Sequence, residues 1–162
     1  MLLDVRTYKI KAGCLPMQAE LYGKLGYPVQ VKYLGEEIEL APQLKLLANA
    51  LLLSGLATLA EVVSAAQAVG IDDETMRDFL ETSPLVARAL ANRVEPLFTG
   101  RHGGWFTTAL GAKDLRLADD MAKRARLSLP ILELVRGRYE EAAATSRGEK
   151  DLTAIVELTR PK

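Results

Sequence analysis

The chain has 162 residues, 49% of them apolar and 26% charged, enough for one ordinary globular core, or for one domain with part of another. Its 21 basic and 21 acidic residues cancel, which argues against the cationic footprint of a nucleic-acid binder or an anionic-membrane binder. The one cysteine, Cys14, cannot close an internal disulfide, and no leader pattern is visible, so a cytoplasmic location is expected.

In chain order, Asp4 to Lys11 alternates with β-branched and aromatic residues and reads as a strand, as does Pro28 to Leu34 with Val29, Val31 and Tyr33 on one side. Between them Pro16 to Leu25 has helical spacing through Met17, Leu21 and Leu25, and Gly26 is a natural stop. From Pro42 the apolar period becomes 3.6 and stays so until Gly70, predicting one long helix ending near position 69. Its most apolar run, between Lys45 and Glu61, has 15 residues, short of the roughly 20 needed to span a bilayer.

Shorter helices are expected afterwards. One starts at an Asp72 or Asp73 cap and runs to about Glu81, and another starts at Ser83-Pro84 and ends before Pro96. Thr99 to Gly104 is loop by its glycines and is expected to be mobile. Helices at about Gly111 to Arg126, Pro130 to Thr145 and Leu152 to Thr159 complete the chain. The fold class is therefore mainly α, an all-helical bundle around one long helix from residue 41 to 162, preceded over residues 1–40 by a β-α-β segment.

Few residues stand out chemically. There is no glycine-rich phosphate loop, no Cys or His cluster with metal-ligand spacing and no Gly-x-Ser-x-Gly elbow, so no metal is expected. His102 reads as a solvated loop residue, and Asp119-Asp120 and Glu140-Glu141 as solvated helix faces with basic residues three or four places away. Lys45 and Asn49 are different. They are the only polar members of a helical stripe that continues through Leu52, Leu56, Leu59, Ala60 and Val63. A charge and an amide on such a stripe must find partners. Either Lys45 snorkels to water while Asn49 bonds nearby backbone, or the pair forms a site. Lys113-Asp114 is a second polar pair. There the acidic residue suits a helix start and the lysine does not.

Lys45-x-x-x-Asn49 opening a long apolar helix, then Glu61, Gly70-Ile71-Asp72, Ser83, Phe98, Leu110, Lys113-Asp114-Leu115 and Leu117-Ala118, resembles the C-terminal domain of the β-hydroxyacid dehydrogenases. That family includes 3-hydroxyisobutyrate, tartronate semialdehyde and 6-phosphogluconate dehydrogenases. The likeness covers nearly all of residues 40 to 160, and makes the first forty residues resemble the last strand, helix and strand of a Rossmann domain, the long helix being the interdomain one. The resemblance implies hydride transfer between a small 3-hydroxyacid and NAD or NADP, with Lys45 as the acid/base, Asn49 positioning the substrate oxygen, Lys113 near the nicotinamide and Asp114 holding its helix start. It also implies a homodimer with the long helices packed together, since Ser54, Thr58, Glu61 and Ser64 give that helix only a narrow polar side.

Two departures from the family pattern bear on activity. Glu39 and Ala41 stand where glycines are usual, and the Gly-x-Gly-x-x-Gly turn that seats a pyrophosphate is not in this sequence. By itself the chain is expected to bind a dinucleotide weakly. Two readings follow: the helical half of an NAD(P)-dependent dehydrogenase, inactive alone, or a non-catalytic dimerisation or binding module of the same descent.

Overall fold

The computed structural model describes residues 40–160, together with Pro16, Met17, Glu20 and Lys24. The expected strands at 4–11 and 28–34, and hence the β-α-β segment, lie outside the described residues. Pro16, Met17 and Glu20 are helical, within the helix expected there. The chain divides into two compact units, Met1–Lys45 and Leu46–Lys162. The second is a helical bundle with no strand among its described residues.

Helix α1 runs from Leu40 to Ala68, 29 residues with no proline beyond the first turn. It ends in a Schellman motif: Gly70 takes φ +86°, the Ile71 amide donates to the Ala66 carbonyl at 2.9 Å, and the Gly70 amide donates to that of Gln67 at 3.2 Å. Only a residue at ease with positive φ closes a helix this way, which is why the expected end at Gly70 is met. By length and apolarity alone α1 is long enough to cross a membrane. Yet Leu53, Leu56 and Val63 are fully enclosed by the bundle, as the stripe of a core helix is. The buried face runs through Ala50, Leu53, Leu56, Ala57, Ala60 and Val63, so the stripe expected through Leu52 is shifted by one residue at its start. Asn49 consequently flanks the core of the second unit.

Helix α2, Asp73–Thr82, is capped by Asp72, whose side chain accepts from the Thr75 amide at 2.9 Å, and it buries Met76 and Leu80 one turn apart. The helix expected from Ser83 to before Pro96 does not form. A turn leads instead into a 3-10 segment, Arg88–Arg93, and a short helix α3, Val94–Thr99, with Pro96 in its first turn where no amide is needed. Gly100 ends α3 at φ +68°.

Helices α4, Thr108–Arg124, and α5, Pro130–Ala143, pack closely on each other. Thr107 caps α4 and Pro130 opens α5. The last element is a 3-10 helix, Leu152–Leu158, in which Leu152 through Val156 are all buried. Asp151 starts it by accepting from the Thr153 amide at 3.1 Å. With Tyr139 and Leu115, this terminal segment closes the core that α1 opens.

Candidate functional site

The site is organised around α4, and the register of α4 depends on its cap. Thr107 accepts from the Leu110 amide through its hydroxyl at 3.3 Å, so the helix begins three residues earlier than Gly111. Asp114 thus lies in the second turn, which corrects the expectation that it holds the helix start. It shares the inward face with Gly111, Leu115, Ala118 and Asp119.

Asp114 is 4% exposed, and both of its oxygens are engaged. Oδ2 accepts from Asn49 Nδ2 at 2.7 Å across 65 residues of sequence, and Oδ1 pairs with Lys113 Nζ at 3.1 Å. A buried carboxylate needs such partners, because losing water around a charge costs several kcal/mol unless hydrogen bonds replace it, by roughly that order. Asn49 is half-buried and Lys113 is exposed, so both reach from the carboxylate toward the surface. Of the three residues singled out in the sequence, the bundle therefore brings Asn49 and Lys113 together through Asp114. Lys45, four residues before Asn49 in sequence, is exposed and is the last residue of the other compact unit.

Gly111 leaves room on α4 for two side chains, Leu152 of the terminal 3-10 helix and Leu53 of α1. A Cβ there would lie 2.7 Å from Leu152 Cδ2 and 3.0 Å from Leu53 Cδ2, inside van der Waals contact. Leu53 follows Asn49 by one turn of α1, and Asp114 follows Gly111 by about one turn of α4. Lys113 also borders a groove of about 350 Å³ between α4 and α5, floored by Ala109, Ala112 and Ala143 and rimmed by Arg116 and Glu140.

Two expectations about surface charge are corrected. Asp119 is 1% exposed rather than solvated, with Oδ2 taking Lys123 Nζ at 2.8 Å and Arg136 Nη1 from α5. Its hydrogen bond holds the Lys123 ammonium above the usual lysine range. His102 is likewise enclosed, its side chain 3% exposed, with Nδ1 3.0 Å from Thr153 Oγ1 and Nε2 3.2 Å from Glu157 Oε1. The loop is thus fastened to the terminal 3-10 helix. Burial alone would raise the Glu157 carboxyl, but the His102 hydrogen bond and the Arg160 charge outweigh it and hold it below the ordinary value. Burial pushes the Tyr139 hydroxyl upward, so Tyr139 stays a neutral core residue.

Sequence reasoning missed Asp114 as a site residue because its neighbour in the site, Asn49, is remote in sequence. The one available signal was the phase of α4. Counting from a Thr107 cap places Asp114 on the same face as Leu115 and Ala118, and a carboxylate on an apolar face asks for a partner. Among the described residues no group of three or more His, Cys, Asp or Glu side chains is arranged to hold a metal.

The chain is similar to several known proteins. The family described as NAD-binding of NADP-dependent 3-hydroxyisobutyrate dehydrogenase matches residues 41–159. The chain is 28% identical over 115 residues to 2-(hydroxymethyl)glutarate dehydrogenase of Eubacterium barkeri, covering 70% of this chain and 38% of that protein. It is 27% identical over 123 residues to the human cytokine-like nuclear factor N-PAC, covering 76% of this chain and 22% of that one. Among solved structures, 3-hydroxyisobutyrate dehydrogenase from Salmonella typhimurium superposes with a TM-score of 0.67 at 23% identity, over 71% of this chain and 40% of that chain. The chain thus spans well under half the length of these relatives. Since the family match takes in Asn49, Gly111, Lys113 and Asp114 and all but a few of the described residues, the chain belongs to the NAD-binding family of NADP-dependent 3-hydroxyisobutyrate dehydrogenase.

Proposed function

We propose that this chain is the helical, substrate-facing and dimerising half of an NAD(P)-dependent 3-hydroxyacid dehydrogenase. The observation that carries the reading is the convergence of Asn49 and Lys113 on the buried Asp114 carboxylate, two surface-reaching donors held by one acceptor. In this reading the Lys45 amine takes the proton of the substrate hydroxyl during oxidation and returns it in reduction. Asn49 donates to a substrate oxygen, and Lys113 lies where cofactor and substrate meet.

Lys113 suits one anionic or carbonyl oxygen of a dinucleotide, since its ammonium is half-exposed beside Asp114. The sequence has no Gly-x-Gly-x-x-Gly turn, so the residues at hand fit an edge of that cofactor and not its pyrophosphate. When bound, the nicotinamide supplies the hydride acceptor or donor. What this chain's own residues contribute is the proton and the grip on the substrate oxygen. Leu47, Leu51 and Val62 expose apolar surface along α1, at 47%, 78% and 41%, which supports pairing of α1 with its copy in a homodimer. A cytoplasmic location fits the composition.

Calorimetry of the chain with NAD and with NADP tests the cofactor part: weak binding is expected, and low-micromolar binding overturns it. With a nucleotide-binding domain supplied, Lys45→Ala should lose at least about a hundredfold in kcat, the scale of a general acid/base. An unchanged rate removes Lys45 from the role. Sedimentation showing a monomer at high micromolar concentration would end the dimer reading. The second reading, a non-catalytic binding or dimerisation module, has one observation in its favour: a relative of comparable identity is described as a nuclear factor. Absence of turnover in every supplied pairing, with the fold intact, decides for it.

A further inference from the structure

We propose that Asp114 is a positioning residue that locks the Asn49 amide in one of its two orientations and ties it to Lys113. This rests on the reading of Asn49 as a substrate-contacting residue. The chemistry is that of an asymmetric side chain facing a symmetric acceptor. An Asn amide has a carbonyl oxygen on one side and an NH2 on the other, and free in solvent it can present either. Beside Asp114 Oδ2 at 2.7 Å only the NH2 side is tolerated, because a flipped amide would set its oxygen against a carboxylate oxygen.

Three features make the lock firm. Asp114 is 4% exposed and sits in the interior of α4, so its own side chain has little room to turn. Its other oxygen is paired with Lys113 at 3.1 Å, which keeps a cation next to the acceptor. Gly111, one turn before Asp114, leaves room for the Leu53 side chain of α1, one turn after Asn49. One Nδ2 proton of Asn49 is spent on Asp114, and the second, on the same nitrogen, is fixed in direction with it. Asn49 therefore offers a ligand a pre-aimed N–H beside the Lys113 ammonium, an arrangement that suits an acceptor oxygen with negative charge, such as the carboxylate or the ionising hydroxyl of a hydroxyacid. An uncharged hydrogen-bond donor gains nothing from it.

The test is the Asn49 side-chain amide seen by ¹⁵N–¹H NMR on the chain as it stands. In the native chain one Nδ2 proton should be shifted downfield by the carboxylate, beyond the ordinary separation of the two protons of a free asparagine amide. Asp114→Ala should return the pair to that ordinary separation while backbone resonances away from α1 and α4 stay in place, and Asp114→Asn, which keeps an acceptor oxygen in reach, should restore part of the shift. Unchanged Asn49 amide resonances in Asp114→Ala overturn the proposal. Should that variant fail to fold, Asn49→Ala reads the same contact from its other end, as a shift of the Asp114 carboxyl ¹³C resonance, and no shift there overturns it equally. The reading of substrate contact is judged separately, by titrating 3-hydroxyisobutyrate into the native chain. If the Asn49 amide is locked but the acid leaves it unmoved, the substrate reading falls and the lock stands.

Discussion

Asp114 and Asp119 stand on the same helix, 4% and 1% exposed, and are used in opposite ways. Asp119 is held by two cations, Lys123 one turn along α4 and Arg136 from α5, so its bonds fasten a helix pair that already packs closely. Asp114 is bonded to a neutral amide as well as to a cation, and the amide comes from α1, far away in sequence. A carboxylate closed off by cations of its own helix pair is scaffold. One that directs a half-buried amide and an exposed lysine toward the surface has given them an orientation that the scaffold does not need.

The largest effect that would sharpen this contrast is in Asp119→Ala. It leaves Arg136 with only the longer pairing to Glu140 at 3.6 Å, and a loss of about 2–3 kcal/mol in urea unfolding is expected, somewhat below the full penalty of a broken buried pair because both cations can reach water. Asp114→Ala should cost less, about 1–2 kcal/mol, since it leaves behind a neutral amide and a half-exposed lysine, while its effect on the Asn49 amide is specific. If Asp114→Ala proves the more destabilising of the two, the division into scaffold and site is wrong.

Gly111→Ala strikes the contrast geometrically. The added methyl meets Leu53 and Leu152, and overpacking of about 1–3 kcal/mol is partly offset by roughly 1 kcal/mol of helix propensity, for a net loss of about 1 kcal/mol. It should move α1 away from α4 and weaken the Asn49 to Asp114 bond, leaving the Asp119 pairs as they are, a difference NMR of the two carboxylates would show. The smallest effect concerns Glu157, a carboxylate of neither kind. Its folded pKa lies below the ordinary value of 4.5, so its contribution is present above that value and is lost as pH falls through the lower, folded one. Glu157→Gln should flatten the acid limb of the stability profile below about pH 4.5, with little change at neutral pH. A profile identical to the native one would show that the His102 fastening has no pH-dependent part.

Much of the bundle could be read from local pattern. The long helix, its end at Gly70, the Asp72 cap and Pro130 at the head of α5 follow from backbone preferences that act within a few residues. The segment between Ser83 and Pro96 could not be read so, because a 3-10 turn and an α-helix share nearly the same apolar spacing over one or two turns. His102 was similarly opaque: two glycines and an arginine beside it suggest water, and only the return of the terminal segment encloses it.

For the candidate site, the sequence alone determined the polar residues, Lys45, Asn49 and Lys113, and by resemblance their family. What the tertiary structure decided is that Asn49 and Lys113 share a buried acceptor, and that this acceptor is Asp114 rather than a cap. Helical periodicity reports which residues lie on one face of one helix. It carries no information on which face of a second helix, 65 residues away, will meet it, and that depends on packing choices such as the bare Cα of Gly111.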